Sequence, residues 1–156
     1  MRRKDRELTD PAAIRRILDE SRVCRLGLVD GGVPYVVPLN FGYDWNGGAP
    51  VFYFHSAREG KKIDLLRRGG AVCVEIDREL GLVGSDCPCK YGFSYESVIG
   101  EGTARFLTST AEKAAALTQI MLHQTGKLYT FTEDMLQGVE VFAVTVTTLA
   151  AKARLV

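Results

Sequence analysis

The sequence predicts a mainly β protein, a six-stranded antiparallel barrel with peripheral helices, built as a single domain over residues 1–156. Short stretches rich in Val, Ile, Phe and Tyr recur along the chain at strand length. Hairpin signals stand between them, the clearest being Asp30-Gly31-Gly32, where glycine tolerates positive φ. The helical stretches are too few and too irregular for the β-α alternation of a parallel sheet. Closing the sheet into a barrel also removes exposed edges. The chain is 46% hydrophobic and 25% charged, enough apolar content for one core and too much for global disorder.

The elements follow in order. Asp10-Pro11 opens a helix, with Asp as N-cap and Pro at the first helical position. Ile14, Ile17 and Leu18 share one face of it, and it stops near Ser21. Strands are predicted over Arg22–Val29 and Val33–Phe41 as a hairpin, then a loop over Gly42–Pro50, then a strand over Val51–His55. Ser56–Arg68 reads as a short helix ended by Gly69-Gly70, and Ala71–Asp77 as the fourth strand. Arg78–Tyr91, with two glycines and a proline, reads as a long loop. Tyr95–Phe106 is the fifth strand. Ser109 or Thr110 caps a helix through His123, with Ala114, Leu117, Ile120 and Met121 inward. Gln124–Gln137 is loop with one turn near Glu133, and Val139–Leu149 is the sixth strand.

Charge narrows the functional classes. Twenty Lys+Arg stand against nineteen Asp+Glu, and that balance argues against a general nucleic-acid binder. Any anion site must come from local clustering. The start of the chain is charged and no apolar run follows it, so the expectation is a cytoplasmic protein without a membrane span. Cys24 and Cys73 sit in apolar strands and read as small buried hydrophobes. Cys87-Pro88-Cys89 invites a metal or redox reading. Its spacing is not Cys-x-x-Cys, and no second close Cys/His pair completes a zinc site, so no metal is expected.

The segment richest in chemistry is His55-Ser56-Ala57-Arg58-Glu59-Gly60-Lys61-Lys62. Ser56 and Glu59 have capping-box spacing, which makes Ser56 the predicted N-cap. First-turn N–H groups are unpaired and partly positive, and Arg58, Lys61 and Lys62 cluster beside them. Free N–H groups, a hydroxyl and cations at one helix start suit a phosphate. The competing reading is an ordinary capped helix with Glu59–Lys62 and Asp64–Arg68 pairs on its surface. In Tyr35-Val36-Val37-Pro38-Leu39-Asn40, Pro38 marks an edge strand or a bulge. A bulge there would leave backbone groups free to meet a planar heteroaromatic ring. His55 reads either as a structural hydrogen-bonding residue or as a functional one, and His123, near a helix end, as structural.

Four segments occur in an order that resembles the flavin-binding split-barrel superfamily that includes pyridoxamine 5′-phosphate oxidase. They are Arg22–Leu28, Pro34–Tyr43, Tyr53–Lys62 and Tyr95–Gly100. Within that superfamily the chain is most similar to the nitroimidazole-resistance group. The resemblance implies FMN as cofactor, with Val37, Pro38, Leu39 and Asn40 along the flavin ring. It implies that His55, Ser56, Ala57, Lys61 and Lys62 hold the ribityl phosphate end, where the clustered cation Arg58 joins them as a candidate cofactor-binding residue, and that Ser97 lies near the ring. It implies a homodimer with the site at the interface. For His55 it implies a place near the reactive centre, as a proton donor, or in some relatives as a haem ligand. Many relatives end the last strand with a Thr-Gly-Lys-like motif; the matching stretch here is Leu149-Ala150-Ala151-Lys152. Cys87 is a second departure.

These implications point to an FMN-dependent oxidoreductase that reduces a small planar acceptor, nitroimidazole- or nitroaromatic-like, with electrons from NAD(P)H. The alternative is a non-catalytic module of the same fold that binds flavin, or haem through His55.

Overall fold

The computed structural model describes residues 3–155. Its strands are β1 (Glu7–Leu8), β2 (Val23–Asp30), β3 (Val33–Asn40), β4 (Gly42–Asn46), β5 (Ala49–Ser56), β6 (Ala71–Val83), β7 (Gly92–Phe106) and β8 (Glu140–Arg154). Its helices are α1 (Pro11–Asp19), α2 (Lys61–Arg68), α3 (Thr110–Thr125) and α4 (Glu133–Gln137). All strand pairings are antiparallel, in the order β3-β2-β6-β7-β8-β5-β4, with β1 added to β8. The mainly β fold expected from the sequence is present, with eight strands in place of six.

Of the two additional strands, β1 pairs two residues with β8 ahead of α1, where the sequence predicts no element, and β4 forms where a turn signal also suits a loop. Asn46-Gly47-Gly48 lies inside the stretch expected to be loop, yet Gly47 (φ 69°) and Gly48 (φ 96°) make a tight hairpin turn between β4 and β5. β6 does not stop at Asp77. It runs with β7 past a register shift at Glu79/Gly81 to Val83, so only 84–91 remain as connection. Beyond Arg78 this ribbon is exposed on both faces, so it shows none of the burial alternation that marks a strand in a sequence. β8 likewise continues to Arg154.

The core lies inside the curled sheet. Cys24, Leu26 and Leu28 of β2, Phe52 and Phe54 of β5, Val72, Val74 and Ile76 of β6, and Phe142 and Val144 of β8 all face it. Ile14, Ile17 and Leu18 of α1 close one side, as the helical spacing predicts, and the Asp10 carboxylate accepts from the Ala12 and Ala13 amides as N-cap. α3 packs on the outside of β4 and β5 over a second cluster formed by Leu107, Ala116, Leu117, Ile120, Leu136, Val141 and Ala143. Gly42 lets the α3 backbone approach: a Cβ there would stand 2.5 Å from the Ile120 nitrogen.

α1 is tied to the sheet by an ionic cluster around one buried carboxylate. Glu96 on β7 is 1% exposed and accepts from Arg78 at 3.1 Å and from both terminal nitrogens of Arg16. Glu20 bridges the same two guanidinium groups. Among the described residues, no buried side-chain nitrogen or oxygen lacks a partner. No described helix is long and apolar enough to cross a membrane.

Candidate functional site

The site follows from the way the sheet opens. β3 pairs with β2, and after the single buried residue Phe41 the chain enters β4, which pairs with β5. If the β4–β5 ladder were continued beyond Gly42↔Tyr53, β5 would meet β3. The two strands diverge instead, and a cleft of about 430 Å³ opens between them. Tyr35 and Val37 line one side of it; Ser56, Ala57, Glu59, Gly60, Lys61 and Lys62 line the other.

β3 is an edge strand in even register with β2 through Arg25↔Pro38, so Pro38 marks an edge and not a bulge. A proline is tolerated in such a ladder when its missing N–H points to the free side. The groups of Pro34, Val36, Pro38 and Asn40 therefore turn toward the open edge, and those of Tyr35, Val37 and Leu39 toward β2. The edge itself supplies the free backbone groups that a bulge was expected to supply. The Asn40 side chain is engaged elsewhere: it donates to the Arg22 carbonyl at 3.0 Å and to Gln124 at 3.3 Å.

The opposite wall corrects the capping-box reading. Ser56 remains in β5, paired with Glu140, and α2 begins only at Lys61. Gly60 is the N-cap residue, at φ 124°, a conformation that other residues rarely adopt, and no side chain caps the helix. The Gly60 carbonyl accepts from Ile63 and Asp64 at 2.9 and 3.1 Å. The amides of Lys61 and Lys62 precede the helical ladder and make no other backbone bond, so the uncapped end presents free donors.

The cations divide unequally. Lys61 pairs with Asp30 at 2.9 Å and lies 5.0 Å above the Tyr35 ring, and Arg68 reaches Asp30 at 3.2 Å. These pairs replace the expected Glu59–Lys62 and Asp64–Arg68 pairs. Lys62 is half-buried and forms no ion pair among the described residues; burial pushes its ammonium below the usual lysine value. An unpaired, partly desolvated cation beside free helical N–H groups is a locus for an anion. Arg58 does not join it. It precedes the helix, lies exposed outside the cleft lining, and its carbonyl accepts a long 3.4 Å bond from Arg67.

His55 is the penultimate residue of β5, opposite Val141, exposed, on the alternate face from Phe54. Partial desolvation and then the Lys62 charge lower its pKa, so the imidazole is uncharged at neutral pH. Ser97 is not in the cleft. It sits in the middle of β7 between Asp77 and Lys152, on the face opposite Val98. Tyr35, Gly60 and Asp30 belong to the site but not to the expected set. Gly60 was readable as a glycine N-cap before Lys61; Asp30 reaches Lys61 only through the fold. A larger hollow of about 580 Å³ lies between α1, β4 and α3. Its polar groups already serve one another, with the Tyr43 hydroxyl donating to Asp19 at 2.6 Å and Arg15 lying 5.1 Å from the Trp45 ring.

An antiparallel barrel split at one edge, with an uncapped helix start in the split and a lysine there unpaired among the described residues, defines a split barrel with a candidate anion site. The chain belongs to the pyridoxamine 5′-phosphate oxidase family, whose sequence profile matches residues 10–153. It is similar to a candidate 5-nitroimidazole antibiotic resistance protein of Bacteroides thetaiotaomicron, at 32% identity over 94% of this chain and 86% of that one, with a TM-score of 0.80. Two more distant structures share the fold. The flavocytochrome Anf3 of Azotobacter vinelandii is 21% identical over 100% of this chain and 72% of its own, with a TM-score of 0.82. A FAD and haem binding protein of Mycobacterium smegmatis is 20% identical over 95% and 73%, with a TM-score of 0.79. No curated protein sequence matches the chain.

Proposed function

We propose that this chain binds FMN in the β3–α2 cleft and works as an oxidoreductase on a small planar acceptor of the nitroimidazole or nitroaromatic class, with NAD(P)H as electron source. The observation that carries the reading is the uncapped N-terminus of α2 with Lys62, unpaired among the described residues, beside it. Lys61, Lys62 and Ser56 would hold the phosphate. The free edge of β3 at Val36, Pro38 and Asn40 would meet polar atoms of the ring, while Tyr35 and Val37 wall the cleft. Bound flavin supplies two-electron transfer; the chain supplies orientation, charge and access. The neutral His55 is a hydrogen-bonding group beside Lys62 and becomes a proton donor only below its lowered pKa. The similar Bacteroides protein supports the choice of acceptor class.

A homodimer is part of the proposal. The outer face of the sheet exposes Val29, Val36 and Ile99, and Gly27, Ala71 and Cys73 line a shallow depression of about 330 Å³ on it. Ser97 shares that face, so it approaches a flavin only across an interface with a second copy. Light scattering would test this, and a monomer at working concentration would overturn it.

The purified protein should show a flavin absorption spectrum, or acquire one with added FMN, and lose it on anaerobic mixing with NADH or NADPH. Failure to take up FMN sinks the proposal. Uptake without bleaching, with or without a nitroaromatic acceptor, favours a binding module. A Soret band would assign haem, for which the exposed His55 is an available ligand.

A further inference from the structure

We propose that Cys87 and Cys89 form a reversible dithiol–disulfide site at the tip of the β6–β7 ribbon, oxidised by small-molecule disulfides. The four cysteines are all free thiols, and the fold sorts them into two kinds. Cys24 is fully buried in the barrel, where burial pushes its thiol up to about 12. Cys73 is half-covered on the sheet, and its thiol is raised by desolvation and then by Glu101 and Glu75. Neither forms a thiolate readily. Cys87 and Cys89 are both exposed, one residue apart, on the connection that projects beyond the last rung Val83↔Gly92.

The local backbone brings the two together. Successive Cα atoms lie about 3.8 Å apart, so positions i and i+2 span at most about 7 Å, and a bend shortens that into the disulfide range. The bend is present. Pro88–Lys90 is a single 3-10 turn, the Cys87 carbonyl accepts from Lys90 at 2.9 Å, and the Cys87 amide donates to Ser85 Oγ at 3.2 Å. Pro88, between the thiols, has its φ fixed, so little freedom is lost on ring closure. No described group of three His, Cys, Asp or Glu residues surrounds them as a metal cage.

The exchange balances in two steps. One cysteine thiolate attacks a sulfur of the small disulfide, forming a mixed disulfide and releasing one small thiolate. The neighbouring thiolate then attacks the cysteine sulfur of that mixed disulfide, closes the Cys87–Cys89 bond and releases the second. The cysteines lose two electrons and two protons, and the small disulfide becomes two thiols. The ribbon around the tip is apolar as well as exposed, with Leu82 opposite Phe93 and Tyr91 nearby, so closure stiffens a loop beside an exposed apolar surface.

The site is independent of flavin, so the test uses the whole chain with oxidised glutathione as probe and reads mass. Two thiols should react with a chromogenic disulfide at least about tenfold faster than the other two. With oxidised glutathione, the peptide containing both cysteines should lose about 2 Da, reversibly on adding a dithiol reductant. Cys87→Ser and Cys89→Ser should each retain a glutathione adduct instead. Adducts persisting on both cysteines of the unmodified chain, or disulfide-linked chains without the internal bond, would overturn the proposal.

Discussion

Replacing Lys62 by methionine separates the phosphate site from everything else the cleft does. Methionine keeps most of the aliphatic stem of a half-buried lysine and removes only the charge. Lys62 has no carboxylate partner among the described residues, so its charge is available to a phosphate. A hydrogen bond to a charged group contributes about 1.5–3 kcal/mol, and each ~1.4 kcal/mol is tenfold in Kd. Lys62→Met should therefore raise the Kd for FMN about 10- to 100-fold. Lys61 is exposed and already faces Asp30 at 2.9 Å, so Lys61→Met should raise it only about two- to fivefold. The assay is titration by quenching of flavin fluorescence, repeated with riboflavin, which lacks the phosphate. Riboflavin affinity should be indifferent to both changes. Equal losses for FMN and riboflavin, or a larger effect at Lys61 than at Lys62, would refute the reasoning.

Glu96→Gln leaves two guanidinium groups without their carboxylate in a nearly closed site. Breaking a fully buried pair costs about 3–5 kcal/mol. Arg16 and Arg78 keep 44% and 25% of their side chains in water, so the loss in a urea titration should be about 1–3 kcal/mol, and a change below about 0.5 would contradict the assignment. Gly42→Ala should destabilise by at least about 1–3 kcal/mol, because α3 would have to move away from the new Cβ; a neutral result in the same titration would show the contact to be soft. His123 is held below the usual histidine value by burial, and its ring lies against Phe41 with Nε2–H donating to the Ser21 carbonyl at 2.8 Å. The unfolded chain then binds the proton first, so stability falls as pH drops below about 6.5 toward the lowered value. Thermal midpoints measured from pH 7 to 5 should decline, and the decline should be shallower in His123→Gln; parallel curves would exclude His123 as its source.

Much of this architecture was legible because single residues carried strong local signals. Asp10-Pro11 started α1, and Asp30-Gly31-Gly32 turned the β2–β3 hairpin within a residue of its predicted bounds. Where the reading failed, local chemistry admitted two outcomes and the fold chose. Asn46-Gly47-Gly48 suited a loop or a hairpin turn, and only pairing with β5 made β4 a strand. Ser56 and Glu59 had the spacing of a capping box, but the ladder to β8 held Ser56 in β5, and Gly60 took over the helix start. The candidate site was legible as a segment and not as a geometry. Sequence spacing groups Arg58 with the two lysines, while in the fold Arg58 lies outside the cleft lining and Asp30 from a distant turn is set against Lys61.

The free edge of β3 has a consequence for the solution behaviour of the chain. An unpaired strand normally offers alternating donors and acceptors to any passing extended peptide, and so templates fibrils. Along this edge Pro34 and Pro38 have no hydrogen to give, leaving carbonyls with few N–H groups between them. A foreign strand docking there would forfeit one of the two hydrogen bonds at about every other rung, whereas a small molecule needing only two or three contacts loses nothing. The same two prolines that leave the split open to a ligand thus act as gatekeepers against self-templated aggregation.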